Sequence, residues 1–156
     1  IKKIMEKITL KLSEVLQLES EINGFVNPQN GEEIYKGFIK QNLSIILKYE
    51  LKELGNVLKL EKTKIESLRN ELILKYGEEN SEGQKAVLMY DEIKDDEGNV
   101  TSMKFNEKYL EFDKEYATLL EKEKEIEYPE ITKDDLKKAG DTKDDYQILF
   151  KLIKKN

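Results

Sequence analysis

Apolar residues recur along this chain with two periods, and each period marks a kind of element. Ile8-Thr9-Leu10-Lys11-Leu12 alternates apolar and polar side chains, the spacing of a half-buried strand. Ser13 follows as a candidate N-cap, and Val15, Leu16, Leu18 and Ile22 suit a short helix that Asn23-Gly24 can end. Asn27-Pro28-Gln29-Asn30-Gly31 is loop by composition. From Glu32 to Tyr76 there is no proline, apolar residues return at helical spacing, and Gly77 follows as a stop. Gly37 and Gly55 are the weak points of that run. Within it, Leu47, Leu51, Leu54, Leu58, Ile65, Leu68 and Leu72 keep the alternating spacing of a coiled-coil seam, with Glu61 at the one missing position.

A straight helix over this whole run would be roughly 65 Å long. A compact domain of this size has a radius of gyration of only about 15 Å. The helix is therefore expected either to break at Gly37 or Gly55 or to meet a partner. In the second case Leu51, Leu54, Leu58, Ile65, Leu68 and Leu72 form the interface of a homo-oligomer, a dimer or a tetramer. Glu61 then reaches solvent or pairs with a neighbouring Lys, because burying it unpaired would be costly.

Beyond Gly77, Glu78-Glu79-Asn80-Ser81-Glu82-Gly83 is a polar loop. Val87–Ile93 and Val100–Phe105 flank Asp95-Asp96-Glu97-Gly98-Asn99 and predict a β-hairpin. Asn106 can cap a helix whose face carries Tyr109, Leu110, Phe112, Tyr116, Leu119 and Leu120. Pro129 makes residues 125–131 extended. Thr132 caps a short helix ending at Ala139-Gly140, and Thr142 is expected to cap a last one presenting Tyr146, Leu149, Phe150 and Ile153. The pattern gives an α+β fold, mainly helical: one long central helix, a β-hairpin and short helices. It is one domain over 1–156, with a long-helix half (1–76) and an acidic hairpin-and-helix half (77–156).

Composition narrows the chemistry. The chain has no Cys and no His, and Arg69 is its single Arg, so thiolate zinc sites and His general bases are absent. Net charge is −6. Residues 1–76 hold 13 basic and 11 acidic groups, and residues 77–156 hold 14 and 22. That balance argues against general nucleic-acid binding, which needs positive surface. No apolar run is long enough for a membrane span, and the start does not read as a secretory signal, which points to the cytoplasm.

No phosphate-cradling loop occurs. The hairpin loop resembles a calcium loop, but Ile93 stands where an EF-hand needs its first oxygen ligand. Asp134-Asp135 and Asp144-Asp145 each follow a capping Thr and suit helix first turns; Glu32-Glu33 is a third acidic pair. No metal, cofactor or catalytic set is expected, and the chain reads as a non-enzyme. The basic edge beside the seam is the most structured feature: Lys48, Lys52, Lys59, Lys62 and Arg69, with Tyr76 at its end. One reading pairs it with acidic flanks across an oligomer. The other places a small anionic, nucleotide-like ligand by Lys59, Lys62, Arg69 and Tyr76, Arg69 engaging phosphate and Tyr76 stacking on a base.

Met5-Glu6-Lys7-Ile8-Thr9-Leu10-Lys11-Leu12-Ser13 resembles small proteins encoded by phages and prophages of Gram-positive bacteria. Phe105-Asn106-Glu107-Lys108-Tyr109-Leu110-Glu111-Phe112 and Ile126-Glu127-Tyr128-Pro129-Glu130-Ile131 are similar to the same group. The resemblance implies a protein acting in the host cytoplasm and supplies no catalytic residues. Two roles follow from it: antagonism of host defence by sequestering a host protein or a nucleotide signal, or assistance in virion assembly.

Overall fold

A computed structural model describes residues 5–80, 82–140 and 146–154. The expected cap at Thr142 and the pair Asp144-Asp145 lie outside the described residues. The fold is α+β and mainly helical, as the periodicity predicts. In chain order the elements are β1 (Met5–Lys11), α1 (Leu12–Asn23), β2 (Phe25–Val26), β3 (Glu33–Tyr35), a 3-10 turn (Phe38–Lys40), α2 (Ile45–Tyr76), β4 (Glu78–Glu79), β5 (Lys85–Ala86), β6 (Tyr90–Lys94), β7 (Val100–Phe105), α3 (Glu107–Leu120), β8 (Glu123–Pro129), α4 (Lys133–Ala139) and a 3-10 turn (Leu149–Leu152). Strands pair two by two, β1 with β8, β2 with β3, β4 with β5 and β6 with β7. Among the described residues no helix is long and apolar enough to cross a membrane.

The chain divides into two compact units, residues 1–63 with 122–156, and residues 64–121. Antiparallel pairing of β1 with β8, Ile8 opposite Ile126 and Leu10 opposite Lys124, joins the two chain ends into the first unit.

That first unit holds a dense core. Leu10 and Ile126 from the sheet, Leu12, Val15, Leu18 and Ile22 from α1, and Leu47, Leu51, Leu54 and Leu58 from α2 are buried, together with Phe38, Ile131, Tyr146 and Leu149. Phe38 and Tyr146 meet edge to face at 5.6 Å. Two details of α1 differ from expectation. Its N-cap is Lys11 rather than Ser13, because Glu14 reaches back to accept the Lys11 amide at 3.0 Å. Glu21, fully buried, accepts the amides of Gln147 (2.5 Å), Ile148 (3.2 Å) and Leu149 (3.1 Å). One carboxylate thereby pins the C-terminal segment to α1, satisfying donors that a buried turn would otherwise leave open.

The long helix starts at Ile45, not near Glu32, and has 32 residues. The segment before it is extended at Glu33–Tyr35 and crosses the end of α1 at Gly37, where a Cβ would stand 2.5 Å from the Ile22 carbonyl oxygen. Gly55 breaks nothing. A Cβ there would sit 2.5 Å from Asn23 Oδ1, and Asn23 Nδ2 donates to the Gly55 carbonyl at 3.2 Å, so this glycine lets α1 and α2 approach closely. Glu61 pairs with Lys124 of β8 at 2.9 Å, a partner within the chain.

Residues 64–121 comprise the second half of α2, β4 to β7 and α3. Asn106 caps α3 as expected, accepting the Lys108 amide at 2.8 Å. The polar loop after Gly77 carries the short β4–β5 pair, which composition did not announce.

Candidate binding surface

The β6–β7 hairpin places alternate side chains on opposite faces. Tyr90 stands opposite Phe105 and Glu92 opposite Met103, so these share one face; Asp91 opposite Lys104 and Ile93 opposite Ser102 share the other. The Tyr90 and Phe105 rings lie 4.7 Å apart. An apolar strand face is normally the one laid against a core. Here Tyr90 is 41% exposed, Met103 59% and Phe105 51%. Leu88 and Met89, just before β6, are exposed as well. With Tyr90 and Met103 they line a shallow groove of about 510 Å³, bordered by Asp91, Glu92 and Lys94.

The loop closing the hairpin is a self-capped turn. Asp95 Oδ1 accepts the amides of Asn99 and Glu97, each at 2.9 Å. The Asn99 amide, above all, holds the Asp95 carboxyl below its ordinary value.

The residues of the expected anion site are divided between the two units. Lys62 lies 3.6 Å from Glu19, whose side chain is only 7% exposed, and so neutralises a buried carboxylate of the first unit. Lys59 is exposed in that same unit. Arg69 and Tyr76 belong to residues 64–121. The Arg69 guanidinium lies 5.9 Å from the Phe112 ring centre and 5.8 Å from that of Tyr116, and the two rings stack at 6.0 Å. Tyr76 is not a free platform. Lys75 Nζ sits 4.9 Å from its ring centre and pairs with Glu115 at 3.3 Å. The bond from the Tyr76 hydroxyl to Glu115 is the main reason that hydroxyl's pKa is raised and the Glu115 carboxyl's lowered. Sequence reasoning missed Phe112, Tyr116 and Glu115 as neighbours of Arg69 and Tyr76. The signal was there in Phe112 and Tyr116, four residues apart on one helix face.

Four residues of the expected oligomer interface are covered within the single chain. Leu51, Leu54, Leu58 and Ile65 are at most 3% exposed in the single chain, so this stretch of seam is an internal contact. In the first unit Asn23, Glu19 and Lys124 reach the flanks of α2, and their elements take the place assigned to a second copy. Leu68 is 42% exposed and Leu72 is half-buried.

The acidic pairs have structural uses. Asp135 accepts the Thr132 amide at 2.9 Å and donates its own amide to Thr132 Oγ1, closing a capping box, while Asp134 pairs with Lys138. Glu33 pairs with Lys40. No family model, no curated protein and no solved structure matches the chain.

Proposed function

We propose that this is a non-enzymatic binding protein that sequesters a host protein, with residues 64–121 presenting the binding surface. The observation that carries the reading is the uncovered apolar hairpin face of Tyr90, Met103 and Phe105, beside exposed Leu88 and Met89. Contiguous apolar exposure of this kind marks interaction sites in folded proteins. The resemblance to phage and prophage proteins gives the setting: antagonism of host defence in the host cytoplasm. A photo-crosslinking residue at position 103, in the chain expressed in a Gram-positive host, should yield one discrete adduct with a host protein. The same residue at position 26, exposed in the other unit, should not. No adduct above that control sinks the proposal, and an adduct with a phage-encoded protein turns it to virion assembly.

A second reading rests on Arg69. Its guanidinium is spread over two rings, and among the described residues no carboxylate pairs with it. A nucleotide-derived signal could offer phosphate oxygens to those donors.

A further inference from the structure

The hairpin groove also indicates what kind of protein it takes; this rests on the binding reading above. Charge is divided sharply between the units. Residues 64–121 hold 8 basic and 15 acidic groups, net −7, while the rest of the chain holds 19 and 18, net +1. The groove lies where that acidity meets apolar surface. Its floor is Leu88, Met89, Tyr90 and Met103. Of its charged border, Lys94 is paired with Glu92 at 3.9 Å, Asp91 stands on the opposite hairpin face across from Lys104 and accepts from Asn106 Nδ2 at 3.3 Å, and the acidic run Asp95, Asp96 and Glu97 follows at the hairpin tip. Methionines adapt their shape to different apolar side chains, and an apolar groove with a charged border is the receiving half of helix-in-groove recognition. An acidic border selects a cationic ligand by attraction and repels an acidic one.

We infer that this groove binds a cationic amphipathic helix of the partner protein, its apolar side chains on Met89, Tyr90 and Met103 and its Lys or Arg residues facing the acidic hairpin tip of Asp95, Asp96 and Glu97. The probe is a fluorescein-labelled 18-residue peptide of Leu and Lys at helical spacing, titrated with the purified full chain. Two comparators are the same peptide with Glu for Lys, and a shuffled Leu/Lys peptide of equal charge.

The helical Lys peptide should bind with one-to-one stoichiometry, gain helicity by circular dichroism, and bind at least tenfold tighter than either comparator. Raising salt from about 50 to about 500 mM should weaken it, since exposed charges are then screened. Met103→Asp and Tyr90→Asp should each reduce affinity at least tenfold. Neither side chain is buried, so both variants should keep the parent circular dichroism. Val26→Asp, an exposed apolar position in the other unit, should change nothing. Equal binding of the Glu or shuffled peptide, indifference to Met103→Asp, or no binding overturns the inference. A host adduct at position 103 that the Lys peptide fails to displace leaves the binding surface standing and rejects this partner chemistry. Loss of the adduct itself rejects the underlying reading.

Discussion

In residues 1–63 with 122–156, apolar side chains from α1, α2, the β1–β8 sheet and the C-terminal turns are buried together. In residues 64–121 only Ile65 and Phe112 are buried apolar side chains among the described residues, while Leu68, Leu74, Leu88, Met89, Tyr90, Ile93, Val100, Met103, Phe105 and Leu110 are exposed. The two regions are built from similar material, since the same helix contributes to both. Leu58 and Leu68 stand on one seam, yet one is fully buried and the other 42% exposed. The contrast teaches that a regular apolar period says an element has a face to cover, not what covers it. In the first region the chain supplies its own cover. In the second those side chains stay uncovered within the chain.

The largest expected effect sharpens this contrast at Glu21. Glu21→Ala removes the acceptor for three backbone amides inside the first unit. Stranding the buried Leu149 amide and the part-buried amides of Gln147 and Ile148 should cost about 3–5 kcal/mol in a urea melt. Phe105→Asp, by comparison, should stay within about 0.5 kcal/mol, as an exposed substitution does. If the two variants melt alike, the division into a self-covered and an uncovered region is wrong.

Next comes a pair of neighbours on α2. Leu58→Ala should cost about 2–5 kcal/mol, the price of a core cavity, while Val57→Ala, 48% exposed, should be near neutral. Sedimentation should show no change of mass for Leu58→Ala. A loss of mass would restore the seam as an interface between copies.

Gly37 and Gly55 break the comparison more finely. Alanine at Gly37 runs into the backbone of Ile22 and Asn23, which cannot step aside, and should cost about 1–3 kcal/mol. Alanine at Gly55 meets the end of the Asn23 side chain, which can turn away, and it gains helix propensity of about 1 kcal/mol. Thermal melts should rank Gly37→Ala well below Gly55→Ala.

These glycines show how much was legible beforehand. The strand at Ile8, the caps at Asn106 and Thr132, the hairpin and the extended run into Pro129 all rest on local chemistry: period, capping and proline geometry. They appear where that chemistry puts them. Gly37 and Gly55 were legible as odd residues in a helical run, but their reasons lie in α1, up to 32 residues away. Period cannot carry such long-range information. The neighbours of the candidate site were out of reach in the same way. A basic edge is visible on α2, but that Lys62 would serve buried Glu19, and that Phe112 and Tyr116 would lie under Arg69, depends on how α1 and α3 fold back.

Acid should act on the first unit through Glu14. The hydrogen bond from Lys151, then the Lys11 amide, lowers its pKa. A depressed carboxylate contributes stability above its unfolded pKa, near the ordinary value of about 4, and that contribution is lost as pH falls through the lower folded value. The melting temperature should therefore drop on acidification below about pH 4. Glu14→Gln should flatten part of that slope and leave the melting temperature at pH 7 lower than the parent's.

The smallest effect separates the two halves of the basic edge. Arg69→Ala removes a guanidinium resting on two rings of residues 64–121, an interaction worth about 0.5–1 kcal/mol at an exposed site. Lys62→Ala should weaken the first unit more, because Glu19 is nearly buried and Lys62 is the ammonium beside it. The second functional reading adds a distinct demand. If Arg69 holds a phosphate, inorganic phosphate should raise the melting temperature of the parent and of Lys62→Ala, and leave Arg69→Ala unmoved. Calorimetric scans with and without phosphate, at matched ionic strength, measure both demands at once. A phosphate response that survives Arg69→Ala would place any anion elsewhere and leave Arg69 as packing between α2 and α3. A response abolished by Lys62→Ala alone would instead return the site to the first unit, where the Glu19 carboxylate stands against it.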